Sequence, residues 1–204
     1  MKEYAPSVLH ESVEVRWFLS EEDPRVLSLR RWFEDVKVEG ERHDYYVPTA
    51  RADLGIKVRD EKEQAPKLET KFLVKDEGER TFGANLKGRF QRWKKVSMEL
   101  ADFSRSDRAS LTRVGKERQL RKFAFDEGQA KPVSILDRPE SGCGFELTRI
   151  DVDGKVSFSI GLEAFGDDRE AAFEATAKIV FAERPDLVLA VADSLSYPAW
   201  LSRP

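Results

Sequence analysis

Cysteine is nearly absent: Cys143 is the only one in 204 residues, so the chain can form no internal disulfide and no cysteine-based zinc site. Histidine is almost as scarce, and His10 and His43 stand too far apart in sequence to make a histidine metal site. No apolar run approaches the ~18 residues that a membrane-spanning helix requires. The stretch "MKEYAPSVLHESVEV" lacks the basic start and apolar core of a secretory signal. Phosphate-binding loops, dinucleotide fingerprints and a Ser, His and Asp arrangement for nucleophilic catalysis are all missing. So are internal repeats, low-complexity tracts and any linker that would split the chain. The expectation is one soluble cytoplasmic domain over 1–204, with no membrane partner.

An excess of one charge sign is lacking too. Asp, Glu, Lys and Arg make up 36% of the residues, against roughly 25% in an average domain, yet the net charge is only −3. A uniformly basic surface for nucleic acid is not indicated, and nucleic acid is not an expected partner. The informative question is whether the charges are segregated by face.

Periodicity answers it. "SVEVRWFL" alternates as a strand does, with Val13, Val15 and Trp17 on one face and Ser12, Glu14 and Arg16 on the other. "LGIKVRD" sets Lys57 and Arg59 about 7 Å apart on one face, opposite Leu54, Ile56 and Val58. "KLETKFLVKD" does the same with Glu69 and Lys71, and "LTRVGKERQLRKFAF" is expected to be a strand carrying Lys116, Arg118 and Arg113. "RFQRWKKVSMEL" is read as a further strand in which Trp93 serves packing. "GFELTRIDVDGKVSFSIGLEAFG" is a hairpin whose Asp-Gly pair supplies the positive φ of a tight turn. It carries Glu146 and Glu163. Helices are expected over "SEEDPRVLSLRRWFEDV", capped by Ser20, and over "DDREAAFEATAKIVFAER". "DLVLAVADSLSYPAWL" is expected to end the chain as a short helix or cap. Charged residues thus recur on one face of nearly every strand. A sheet that curls with its apolar side against helices and its charged side inward encloses a charged tunnel.

In order and spacing these motifs resemble the CYTH, or triphosphate tunnel metalloenzyme, superfamily. "SVEVRW" stands where that family opens with E-x-E-x-K, "GIKVRD" resembles its first basic pair, "LETKF" its T-x-K-like strand and "GKERQLR" its later basic pair. "GFELTRI" and "SIGLEAFG" resemble its acidic closing strands, and "SYPAWL" a common ending. The resemblance implies an α+β, mainly β fold: a closed antiparallel barrel of about eight strands, with flanking helices, forming a tunnel. It implies that Arg16, Lys57, Arg59, Lys71, Lys116 and Arg118 hold phosphates, and that Glu14, Glu146 and Glu163 carry Mg²⁺ or Mn²⁺. Glu14 and Glu163 would then be catalytic, in a hydrolase acting on inorganic or organic triphosphate. An adenylate cyclase shares the tunnel and differs in product.

Two departures set a competing expectation from another class. Ser12 and Gly161 replace the first carboxylates of the two E-x-E pairs, which removes one acidic ligand from each metal-bearing strand. The alternative is a non-catalytic barrel that keeps its grip on polyphosphate or nucleotide. Its apolar outer strands leave a homodimer open.

Overall fold

The computed structural model describes residues 8–60, 65–83, 85–182, 184 and 186–203. The first seven residues of the stretch read for a secretory signal lie outside these. The strands are β1 (Val8–Ser20), β2 (Arg42–Tyr46), β3 (Leu54–Asp60), β4 (Lys67–Thr81), β5 (Lys87–Glu99), β6 (Thr112–Asp126), β7 (Gln129–Val133), β8 (Gly142–Val152) and β9 (Lys155–Phe165). They pair antiparallel in the order β2-β3-β4-β5-β1-β9-β8-β6, and β2 pairs in turn with β6, which closes a ring of eight. The ninth strand, β7, continues the free edge of β6 beyond β2. At the β8–β9 turn Asp153 and Gly154 have φ of 52° and 81°, the left-handed pair that a two-residue hairpin demands.

The wall is apolar outside. Val13, Val15 and Trp17 of β1, Phe145 and Leu147 of β8, and Ile160 and Leu162 of β9 are buried in one cluster. Two helices cover them: α1 (Pro24–Trp32) with Val26 and Leu29, and α3 (Arg169–Ala182) with Phe173, Val180 and Phe181. Cys143 belongs to this outer core, and burial raises its thiol pKa. The alternation along each strand therefore puts the hydrophobic core between wall and helices and turns the charged parity inward.

The cap of α1 differs from expectation. Ser20 ends β1, paired with Ser157, and the chain turns before Asp23 caps the helix by accepting from the Arg25 amide at 2.9 Å. Pro24, at the first helical position, has no amide hydrogen to leave unsatisfied. A four-residue helix, α2 (Arg105–Arg108), follows β5, and its loop brings Phe103 onto Tyr45 and Val58 outside the barrel.

One end of the barrel is filled. A 3₁₀ turn (Val191–Asp193) leads to α4 (Tyr197–Leu201), tied to the barrel by the Leu195 amide, which donates to the Arg16 carbonyl at 3.0 Å. Trp200 stacks on Phe18 with ring centroids 4.9 Å apart, and Tyr197 meets the same ring edge-on at 5.1 Å. Tyr46, Val114 and Ile150 complete this apolar floor. Gly55 is needed beneath it, because a Cβ there would come within 3.0 Å of Pro198 Cγ. The barrel is a cup, floored by α4 and entered from the opposite end.

Candidate functional site

All nine side chains singled out from the sequence line one cavity of about 290 Å³ inside the barrel: Glu14, Arg16, Lys57, Arg59, Lys71, Lys116, Arg118, Glu146 and Glu163. Arg42, Lys95, Lys122 and Glu69 join them on the lining, and Asp44 lies fully buried behind Lys57 and Lys116. Nine cations thus face five carboxylates, a surplus of four positive charges inside a chain whose formal net charge is −3.

Depth is set by the floor. Lys116, 3% exposed, donates to Asp44 Oδ2 at 2.8 Å and to the Tyr46 hydroxyl at 2.9 Å, with its ammonium 3.8 Å from the centre of the Tyr197 ring. Lys57 donates to the same Asp44 oxygen at 2.7 Å. Arg42 and Arg59 approach the other oxygen at 3.7 and 3.9 Å. One carboxylate therefore holds four cations in place. Although burial opposes ionisation, Lys116, Lys57 and the two guanidinium groups hold the Asp44 pKa well below the carboxylate range. Burial, together with Arg59 and Lys116, pushes Lys57 down to about 7 against the pull of Asp44 and Glu69. Burial also takes Lys116 down to about 8, with Arg42 and Arg16 adding to the effect and Asp44 resisting it. Burial and the neighbouring cations thus bring both ammonium groups to titrate close to neutral pH in the free protein. An entering anion would relieve that strain. Among the described residues, Arg42 Nε and Thr148 Oγ1 face this space without a hydrogen-bond partner.

Midway up the wall, register explains the second departure. Arg16 on β1 lies opposite Gly161 on β9, which lies opposite Glu146 on β8. With no side chain at 161, the Arg16 guanidinium crosses to Glu146 Oε1 at 2.6 Å and to Ser159 Oγ at 3.2 Å. Arg118 takes the other Glu146 oxygen at 3.4 Å and is paired on its far side with Glu39 at 2.8 Å. Burial works the other way, yet Arg16 and Arg118 hold the Glu146 pKa far below its usual value. Glu146 spaces two arginines into a fork.

Nearer the open end, Glu14 and Glu163 are direct cross-strand partners. Glu14 Oε1 accepts from the Ser12 hydroxyl at 2.6 Å and from the Lys71 ammonium, which is also 4.0 Å from Glu163 Oε1. Burial and the Glu163 charge raise the Glu14 pKa, while Lys71 lowers that of Glu163. Divalent ions such as Mg²⁺ want several oxygen ligands. Here both Glu146 oxygens are engaged by arginines, Glu14 is engaged by Ser12 and Lys71, and no group of three or more Asp, Glu, His or Cys residues suited to a metal converges among the described residues. The donor set does not fit a two-metal centre.

No family model matches the chain, and no curated protein does. Among solved structures it is similar to a conserved hypothetical protein from Pyrococcus furiosus, at 17% identity and a TM-score of 0.49, over 92% of this chain and 98% of that one. Neither activity nor ligand follows from that likeness, so function has to be argued from the cavity itself.

Several lining residues escaped the sequence reading. Arg42, Asp44 and Tyr46 share the inward parity of β2, and the signal was there in "RHDYY", where position 44 alternates with 42 and 46. Lys95 and Lys122 follow the same rule on β5 and β6. Trp93, expected only to pack, forms part of the lining, and Lys71 reaches over its ring at 5.6 Å from the centroid. Arg113 has the outward parity and meets His43 on the outer face. His10 is exposed.

Proposed function

We propose that this barrel binds a compact polyanion of the triphosphate class, inorganic or carried on an organic group. The observation that carries the reading is the cation surplus. Four net positive charges are enclosed in a cup of about 290 Å³ within an acidic chain, and a triphosphate brings about four negative charges to match them. Arginines suit this task because a planar guanidinium grips two phosphate oxygens at once, and lysines add point charges that turn to follow the ligand. Holding like charges together inside a protein costs stability unless a counter-charge is supplied. Asp44, Glu69 and Glu146 supply part of it and the ligand the remainder.

Eight of the nine cations have a place in this scheme, and the ninth, Lys122, donates to the Ile135 and Asp137 carbonyls. Lys57, Lys116, Arg42 and Arg59 receive the inner phosphoryl group over the floor. Arg16 and Arg118, splayed by Glu146, take the middle of the chain, and Lys71 and Lys95 face its outer part. Tyr46 and Tyr197, whose pKa values are raised chiefly by burial, remain neutral hydroxyl groups at the base.

A second reading, hydrolysis of the same ligand, is favoured by one observation: Glu14 and Glu163 face each other across β1 and β9 beside the outer cations. A single Mg²⁺ or Mn²⁺ on that pair would neutralise the terminal phosphoryl group and lower the pKa of a water. Calorimetric titration with tripolyphosphate, with and without either metal, followed by a phosphate-release assay on the same samples, separates the readings. Binding without release supports the first, metal-dependent release supports the second, and absence of heat in every titration removes both.

A further inference from the structure

Two carboxylates set directly opposite on neighbouring strands repel each other. Glu14 and Glu163 are such a pair, so a cation has to stand with them. The fold provides one from β4, on the far side of β5. Lys71 extends across the face of Trp93, contacts Glu14 and comes within 4.0 Å of Glu163 Oε1. The side-chain exposures, 27% for Lys71 and 39% for Glu163, put this cluster at the cavity's solvent side, within reach of an entering ligand.

The places from which a divalent ion would draw further ligands are closed. The Ser12 hydroxyl is turned onto Glu14 at 2.6 Å. A Cβ at Gly161 would come within 2.8 Å of the Val15 carbonyl oxygen and 3.3 Å of Arg16. We propose that Lys71 is the resident cation of the Glu14–Glu163 pair, standing where a divalent ion would otherwise bridge the two, and that the cavity therefore takes its triphosphate without a metal. An ammonium group carries three donors. One goes to Glu14 while Glu163 lies at 4.0 Å, which leaves donors for a phosphate oxygen while Lys71 keeps its post. A tethered ammonium also competes with ions in solution at the effective concentration of an intramolecular partner.

The proposal rests on the triphosphate-binding reading, and its test has an arm that does not. Free Mn²⁺ is followed by electron paramagnetic resonance in the presence of wild-type protein, Lys71→Met, and Lys71→Met combined with Glu163→Gln. Methionine keeps the bulk of the stem over Trp93 and removes the charge. The wild type should leave the Mn²⁺ signal unchanged, Lys71→Met should bind the ion, and the added Glu163→Gln should abolish that binding. Tripolyphosphate should bind the wild type in EDTA, and excess Mn²⁺, which chelates the free ligand, should not tighten that binding. Mn²⁺ uptake by the wild type, or none by a folded Lys71→Met, overturns the assignment. If Lys71→Met does not fold, the wild-type signal decides alone. Failure of tripolyphosphate to bind in any buffer is a separate result: it removes the ligand reading, while the Mn²⁺ arm still judges Lys71.

Discussion

Arg16 lies directly across Gly161, and the pair fits only because one of the two has no side chain. The Arg16 stem fills the space that a side chain at 161 would occupy, with Cβ and Cγ each 3.3 Å from where a Cβ would stand. The absence of a side chain at 161 is thus what lets an arginine reach Glu146 on the next strand.

Gly161→Ala should therefore destabilise the protein by about 1–3 kcal/mol, the usual cost of overpacking, and weaken tripolyphosphate binding as Arg16 is pushed off Glu146. Gly144→Ala is the control. Its nearest neighbour is the flexible tip of Leu120, at 3.2 Å, which can move aside. Urea unfolding of both variants checks the contrast, and equal stabilities would show that the close approach at 161 is relieved elsewhere.

Asp44→Asn should cost about 3–5 kcal/mol, because it leaves buried cations without their shared counter-ion. The acid limb should change with it. The folded Asp44 pKa lies well below the ordinary aspartate value of 3.8, so its contribution is complete above that value and is lost as pH falls beneath it. Wild-type stability should fall through this range more steeply than that of Asp44→Asn. Tripolyphosphate should recover part of the variant's loss, since a ligand that binds only the folded state raises its stability. Thermal melts across pH 2–6, with and without ligand, provide the check.

Binding should take up protons above neutrality. In the free protein Lys57 titrates at about 7 and Lys116 at about 8, and a bound polyanion raises both. Affinity should accordingly weaken as pH rises from 7 to 9. Titrations in two buffers of different ionisation heat should report proton uptake at pH 8. The free protein should show the opposite trend in stability. Unfolded lysines hold their protons up to about 10.5, so the unfolded state binds more protons than the folded one between 7 and 10.5, and stability rises with pH there. A pH-independent affinity would mean that these two ammonium groups do not meet the ligand.

Because α4 floors the cup, the ligand must enter end-on. Tripolyphosphate carrying a methyl ester at one end should bind within about threefold of the parent, whereas esterifying both ends should weaken binding by about tenfold or more. Lys116 and Lys57 would then meet an ester in place of a terminal phosphoryl group. Calorimetry on the three compounds suffices, and equal affinities would imply that the chain passes through the barrel.

Much of this site was written in the alternation of the strands. β3 runs over Leu54–Asp60, the seven residues whose period first placed Lys57 and Arg59 on one face, and that period needs only the pleat to become an inner wall. What it could not give is partner choice. Asp44 gathers Lys57 and Lys116 from strands on either side of β2, and Glu146 gathers Arg16 and Arg118, because closure and register bring Lys116 to Asp44 across 72 positions and Arg16 to Glu146 across 130. The opening "SVEVRW" reads as one metal-ligand strand until Gly161 is seen opposite Arg16. The floor was hidden for a similar reason. "SYPAWL" has too few residues to show a period, and its place is fixed by Phe18, Tyr46 and Gly55 from three separate strands.

The segregation of charge has a consequence for what the protein meets in solution. With four net positive charges turned inward, the remainder of a chain of net charge −3 carries −7, although at long range only the total of −3 is felt. Long polyanions such as nucleic acids meet a net negative chain, while the surplus of cations acts inside the barrel. Charge of one sign is thus gathered within the wall and charge of the other left outside it.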